Sequence, residues 1–278
     1  MLDFQYDEKY ILPAAIVITI MIGDIINMAI ELNEDQWNML KKYSFNAYID
    51  ELVVHCNESY PYLDIKLGKD GLRSALKNAV EAAKNEGFDQ RGAIQFYIDM
   101  LILFGAKFQT DPQYTWIKTI LDNNSHLGQL EKTSLLYHEV TRYLNEVHGE
   151  QDNHLKASIL KFQNINIEHL NVQWITYESN VDVLLNSLFP KKYQYIKQDR
   201  IKKLIQFGIE KSNQYGIENA NYSAFLTLIM FLLGHEFEQD IFLPHLNKKL
   251  FKQYYSDTDS LIMEMEKTAK DYLKKFLQ

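Results

Sequence analysis

The chain has 278 residues, of which 46% are hydrophobic and 24% charged, the balance of a folded globular protein with one large domain or two ordinary ones. Its net charge of −8, without a clustered basic face, argues against a nucleic-acid partner; we interpret the most basic run, 190–203, as a solvated helix face. Cys56 is the only cysteine, which excludes an intrachain disulfide and a zinc site built on paired cysteines. Glycine and proline are scarce, at 11 and 5, so we predict an all-α fold.

Residues 1–31 form a short apolar segment, and 11–30 within it reach the length of a membrane-spanning helix. Asp24 and Asn27 lie inside this run, where a charge is unfavourable in a membrane, and Gly23 before Asp24 divides it as a short hairpin does. No positively charged region or small-residue cleavage site marks a secretory signal. We therefore predict a hairpin or helix docked on the remaining helices, in a cytoplasmic protein. The alternative is an inner-membrane anchor for a module that faces the periplasm.

The rest of the chain contains an internal repeat at an offset of 129 residues. Residues 51–149 align without a gap on 180–278, with fourteen identities in 99 positions. Within the best-matched stretch the identical pairs are Gly87 and Gly216, Phe96 and Phe225, Leu103 and Leu232, Gly105 and Gly234, Phe108 and Phe237, and Asp111 and Asp240. We interpret this register as an internal duplication. It predicts two tandem five-helix units, 32–149 and 165–278, packed together and joined by a polar linker at 150–164.

Each unit is predicted to contain the same five helices. The predicted ranges of the first, second and fifth helices are 34–56, 70–86 and 129–147 in one unit, and 167–188, 199–215 and 260–277 in the other. The third helix is apolar on nearly every side from Ile94 to Phe108, which is typical of a buried central helix. Asp111 followed by Pro112 predicts the N-terminus of the fourth helix.

Asp99 is the most conspicuous candidate for chemistry, because it stands in the apolar third helix, where the second unit has Leu228. A carboxylate on a buried helix has a raised pKa, so a hydrolase or transferase that uses Asp99 as a groove carboxylate with a nearby tyrosine or histidine is the alternative function. The eight histidines lack metal-ligand spacing, and two Ser-x-x-Lys strings lack the other elements of an acyl-transfer site. We predict no catalytic residue, cofactor or metal.

The two units differ most where a partner could bind. Pro112 and Trp116 of the first unit are replaced by Ile241 and His245 in the second. Together with the difference at Asp99, this asymmetry predicts partner contacts in the first unit alone. The candidate partner-binding residues are Asp99, Asp111, Tyr114 and Trp116.

The segment GAKFQTDPQYTWIKTIL at 105–121 resembles a family of uncharacterised bacterial helical proteins, whose repeating pattern is Gly, Phe, Asp-Pro, Trp and leucine. The motif QYGIENA at 214–220 and the Tyr-Pro and Phe-Pro pairs ending at Pro61 and Pro190 fit the same pattern. The family is often encoded beside type VI secretion effectors, which implies an immunity or accessory protein. The second unit departs from the pattern at Ile241 and His245. A non-enzymatic protein that binds a secreted toxin is therefore expected, and an acidic surface suits attraction to a basic toxin.

Overall fold

The computed structural model describes residues 32–246 and 257–277, with the backbone alone at His245, and within these ranges every regular element is helical. This confirms the predicted all-α fold. The α-helices are α1 Glu34–Ser59, α2 Tyr62–Asn85, α3 Arg91–Phe104, α4 Thr115–Asn123, α5 Gln129–Tyr143, α6 Asn153–Gln163, α7 Tyr177–Leu188, α8 Pro190–Tyr195, α9 Gln198–Tyr215, α10 Ala220–Leu233 and α11 Thr258–Leu273. Short 3-10 turns join several of them, among them Phe108–Thr110, Pro112–Tyr114, Ile167–His169, Trp174–Thr176, Phe237–Gln239 and Lys274–Leu277.

Helix α1 crosses the boundary between two structural units, which falls between Ala47 and Tyr48. It begins with a reciprocal cap, in which the Asn33 side chain accepts from the Gln36 amide at 2.8 Å and the Gln36 side chain accepts from the Asn33 amide at 3.0 Å. In the described part of the chain, no helix is long and apolar enough to cross a membrane. The predicted hairpin or anchor at 11–30 lies outside the described residues.

Helices α3 and α10 are buried on nearly all sides, as their continuous apolar sequences predict. Both end earlier than the apolar pattern suggests, because Gly105 and Gly234 follow the last helical residues with φ of +84° and +97°. L-residues rarely adopt this backbone conformation, and glycine does so without a steric penalty. The helix predicted to continue to Phe108 therefore stops at Phe104, and Phe108 begins a separate 3-10 turn.

Element boundaries recur at the offset of 129 residues found in the sequence. Helices α3 and α10 match at both ends, as do the 3-10 turns Phe108–Thr110 and Phe237–Gln239. Helix α2 is broken at Gly68, and the equivalent position is Lys197, which separates α8 from α9. These correspondences support the duplication hypothesis, which stays a hypothesis about the origin of the two halves.

The segment at 150–164 is a packed helix and not a polar linker. Helix α6 occupies Asn153–Gln163, and it buries Ile159 and Phe162 completely in the core. Phe162 stacks on Phe225 of α10 with ring centroids 5.5 Å apart. Two apolar residues three apart give too weak a periodicity to predict a helix among so many polar neighbours, so composition alone suggested a boundary here.

Candidate functional site

The glycines that end α3 and α10 lie against each other. A Cβ atom added to Gly105 would stand 2.2 Å from the Leu233 carbonyl oxygen, and one added to Gly234 would stand 2.6 Å from the Phe104 carbonyl oxygen. No side chain fits at either distance. The two matched glycines are therefore needed for close backbone contact as well as for positive φ.

Two matched aspartates reinforce this contact, because each forms a hydrogen bond to the backbone on the other side of it. The Asp111 carboxylate accepts a hydrogen bond from the His235 backbone amide at 2.9 Å. In the opposite direction, the Asp240 carboxylate accepts one from the Ala106 backbone amide. Each aspartate thus binds the residue that follows the other helix's terminal glycine, and we call this arrangement the glycine–aspartate clasp. Burial raises the pKa of Asp240 to about 7, although its backbone hydrogen bonds oppose the shift.

Asp111 also caps the turn at Pro112, as the sequence predicts, by accepting from the Gln113 amide at 2.8 Å. The element that begins there is a 3-10 turn, Pro112–Tyr114, and the predicted fourth helix follows it as α4.

A half-buried lysine lies beside Asp111. The Lys192 ammonium donates to the Tyr114 hydroxyl at 2.8 Å and to the Phe231 carbonyl oxygen. Burial lowers the pKa of Lys192 to about 7, against the opposing charge of Asp111. A cavity of about 50 Å³ adjoins the lysine, with Tyr143 in its wall, and this volume is comparable to one or two water molecules.

Two of the predicted partner-binding residues are buried and contact other residues of this chain. Asp111 is 1% exposed and Tyr114 is 2% exposed, so an external protein does not reach either side chain in this conformation. Trp116 is half-buried and packs edge-on against Phe104, with ring centroids 5.9 Å apart. Its indole nitrogen has no hydrogen-bond partner within the ranges that the structure describes.

Asp99 belongs to a hydrogen-bonded cluster between α1 and α3. The His55 Nε2 atom lies 2.7 Å from the Asp99 carboxylate, and the Gln95 amide nitrogen lies 3.3 Å from His55 Nδ1. The Tyr60 hydroxyl also donates to Asp99. Because both ring nitrogens of His55 are engaged, neither is free to take a proton from a substrate. The enzyme alternative therefore gains no support from this cluster.

The charge of Asp99 determines the protonation of His55. Burial lowers the pKa of His55, but the hydrogen bond and the charge of Asp99 outweigh that effect and raise the pKa above its usual value. The neighbouring Cys56 thiol is fully buried, and burial raises its pKa to about 12, so it is unreactive at neutral pH.

We expect Asp99→Asn to reverse the pKa shift of His55, because burial then acts without an opposing carboxylate. NMR titration of the imidazole C2 proton should show a fall in the pKa of His55. Glu58→Gln is the matched control, since Glu58 makes the smallest contribution to the raised pKa of His55. The raised pKa also means that the stability contributed by His55 is complete below its unfolded pKa and is lost as pH rises through the native value. An unchanged His55 pKa in Asp99→Asn would contradict this assignment.

A groove of about 390 Å³ lies between the connection after α6 and the first half of α11. Its apolar wall consists of Ile165, Ile167, Ile262 and Met263. Ile262 is fully buried beneath the groove, whereas Met263 is 61% exposed. The groove is therefore a concave surface, open to solvent, to which Met263 contributes an exposed apolar side chain.

The acidic rim of the groove comes from Glu168 and Glu266. Glu266 is paired with Lys270 at 2.7 Å, and among the described residues Glu168 has no ion-pair partner. Tyr222 also lines the groove, and its hydroxyl pKa is affected by this charge. Burial raises that pKa, and the carboxylates of Asp259 and Glu168 raise it further. The groove thus carries one carboxylate, that of Glu168, with which no cation of the described residues pairs.

Side-chain to backbone hydrogen bonds hold the groove open. The Asn221 amide donates to the Glu168 carbonyl oxygen at 3.1 Å and accepts from the Val172 amide at 2.8 Å, which ties the connection to the start of α10. The Lys270 ammonium donates to the Ile165 carbonyl oxygen at 2.8 Å, which ties it to α11. A preformed surface of this kind loses little conformational entropy when it binds a ligand.

Comparison with protein-family models, with curated proteins and with solved structures finds no match to this chain. The family resemblance of 105–121 and the role that it implies therefore stay predictions. Among the described residues, no group of three or more histidine, cysteine, aspartate or glutamate side chains is placed to hold a metal ion. The description of the groove and of the clasp thus rests on the structure of this chain and not on a related protein.

Proposed function

We propose that this protein is a non-enzymatic protein-binding module, and that its partner occupies the acidic groove between the 164–170 connection and α11. The observation that carries the proposal is the combination of the exposed apolar side chain of Met263 with the carboxylate of Glu168, which has no ion-pair partner among the described residues, in one preformed concavity. Concave apolar surface with a polar rim is typical of protein interfaces.

The groove specifies the chemistry of its partner. Met263 and the half-buried Ile165 offer contact to an aliphatic or aromatic side chain, while Glu168 offers an acceptor to a lysine or arginine. A basic, amphipathic segment of a protein meets both requirements. The net charge of −8 adds a long-range attraction for such a partner, which accelerates association at low ionic strength.

Two further apolar side chains follow on the same connection. Ile175 is 90% exposed, and Trp174 stacks on Tyr177 with ring centroids 4.9 Å apart while its indole donates to the Glu218 carbonyl oxygen at 2.8 Å. Trp174 is therefore held in place with part of its ring exposed, as an anchor residue at an interface is.

The particular role that we propose is that of an immunity or accessory protein for a secreted bacterial effector. It is supported by the resemblance of 105–121 to a family encoded beside type VI secretion effectors, and by the acidic groove, which suits a basic toxin. The predicted partner is the toxic protein encoded beside this chain's gene.

Met263→Asp should weaken the complex with that neighbouring protein about tenfold or more, because it places a charged carboxylate where the partner's apolar side chain packs. Binding should be measured by isothermal titration calorimetry with both purified proteins, together with rescue of growth on coexpression. Val54→Asp is the matched control, since Val54 is an exposed apolar residue on α1 that does not line the groove. Affinity that is equal in the two variants, or the absence of any complex with the unmodified chain, would contradict the proposal.

A further inference from the structure

Three aromatic rings enclose the side-chain nitrogen of Lys275. Tyr62 comes from the start of α2, Tyr272 from the end of α11, and Phe276 from the 3-10 turn Lys274–Leu277. The ring centroids form a nearly equilateral triangle with separations of 6.2, 6.3 and 6.3 Å. The Lys275 nitrogen lies 3.4 Å from the centroids of both tyrosines and 4.5 Å from that of Phe276. We call the three rings the aromatic cage.

A primary ammonium is a poor chemical match to this cage. It has three N–H donors, and no described residue provides a hydrogen-bond acceptor for the Lys275 nitrogen. Burial lowers the pKa of Lys275 well below its usual value, the charge of Asp240 opposes this shift, and nearby Lys66 adds to it. The ring faces favour a cation, but the unsatisfied donors make this particular cation costly to bury.

A fully methylated ammonium lacks that mismatch. It has no N–H group that needs an acceptor, its charge does not depend on pH, and its methyl groups contact aromatic faces favourably. Asp240, which is buried near the cage and interacts electrostatically with Tyr62, Tyr272 and Lys275, adds a carboxylate to the rings. Aromatic faces with a nearby carboxylate are the combination that recognises quaternary ammonium groups.

The cage lies close to the surface, although the Lys275 nitrogen itself is buried. Tyr62, Tyr272, Lys275 and Phe276 are each half-buried, so each has some surface exposed to solvent. Lys275 and Phe276 stand on the same short turn, so a shift of that turn withdraws the lysine and widens the cage in one movement. Widening is required, because methyl groups take more room than the protons of the lysine ammonium.

We propose that Tyr62, Tyr272 and Phe276 form a binding site for a methylated ammonium group, and that Lys275 occupies it as an internal ligand until such a cation displaces it. The site is independent of the acidic groove, so either proposal can fail alone. The contact of Lys275 with the cage is autoinhibitory, because a second cation cannot enter while the first remains.

The direct test is a titration of tetramethylammonium into the full chain, followed by NMR of its methyl resonance, which aromatic ring currents shift upfield inside the cage. We expect weak, saturable binding to the unmodified chain and binding about tenfold tighter to Lys275→Ala, in which the cage is vacated. Lys275→Met is the matched control, because it refills the cage with an uncharged side chain of similar length and should bind no better than the unmodified chain. Adding Tyr62→Leu to Lys275→Ala should abolish the shift.

A folded Lys275→Ala variant that gives no upfield shift would overturn the proposal. If that variant does not fold, acylation of Lys275 in the unmodified chain provides the same information. Tetramethylammonium should accelerate the reaction of Lys275 with acetic anhydride, since displacement exposes the amine, and an unchanged rate would overturn the proposal equally. A trimethyllysine peptide that binds about tenfold tighter than tetramethylammonium assigns the ligand to a protein side chain, whereas equal affinity assigns it to a free small cation.

Discussion

Gly105→Ala should lower the free energy of unfolding by about 3–5 kcal/mol, the largest effect that we expect from a single methyl group in this protein. Two penalties combine at this position. The backbone has φ of +84° and ψ of 178°, a conformation that is nearly restricted to glycine. In addition, the new Cβ would stand 2.2 Å from the Leu233 carbonyl oxygen, so the contact between α3 and α10 must open.

Gly87→Ala separates these two penalties. Gly87 has φ of +85°, close to that of Gly105, but an added Cβ would meet no atom within 4 Å. We expect a loss of only about 1 kcal/mol, which reflects backbone strain alone. Both variants should be compared by urea denaturation of the full chain. Equal losses of stability would show that the close contact of the two glycines contributes nothing.

Asp111→Ala should cost about 3 kcal/mol, because it leaves two backbone amides without an acceptor. One is the Gln113 amide of its own turn, and the other is the His235 amide across the clasp. Asp111 is almost completely buried, so water does not replace the lost carboxylate.

Asp257→Ala is the control for an ordinary helix cap. Asp257 is exposed and accepts from the Ser260 amide at 2.8 Å at the start of α11, so its removal should cost about 1 kcal/mol. Denaturation of the two variants measures the difference that burial and the crossed hydrogen bond make. If Asp111→Ala cost no more than Asp257→Ala, the clasp would not hold the two halves together.

The sequence was informative about helices because helical signals are local. The apolar runs of α3 and α10 and the Asp-Pro turn each act within a few residues, and each predicts the element that the structure contains, whereas Gly105 was predicted inside the helix that it ends. The weakest predictions concerned polar segments. Helix α6 was missed because Ile159 and Phe162 are its only fully buried apolar residues, too few to set a period.

The candidate site was much less predictable, because it depends on contacts between residues far apart in the chain. Asp111 stood out as a matched residue, but nothing local indicates that it meets His235, which lies 124 positions away. The same holds for Lys192, whose basic neighbours suggested a solvated helix face although its ammonium is buried against Tyr114. Of the sequence signals, only the alignment of Asp111 with Asp240 could have indicated a reciprocal contact.

The asymmetry between the halves takes a different form from the one that the sequence suggested. Asp99 forms a hydrogen bond with His55, whereas Leu228, at the equivalent position of the second half, is buried in the core. The two proposed binding sites, the acidic groove and the aromatic cage, lie instead along α11 and the turn after it. Neither was visible in the sequence, since each is assembled from at least two distant segments.

The central claim, that a basic protein partner occupies the acidic groove, is tested most directly by hydroxyl-radical footprinting of methionine in the complex with the protein encoded beside this chain's gene. Methionine oxidation follows exposure, and the chain provides an internal control, because Met263 at the groove is 61% exposed while Met39 on α1 is 72% exposed. At saturating partner, the oxidation rate of Met263 should fall severalfold while that of Met39 stays unchanged. An unchanged Met263 rate in the saturated complex would contradict the claim, because the groove would then be open while the partner is bound elsewhere.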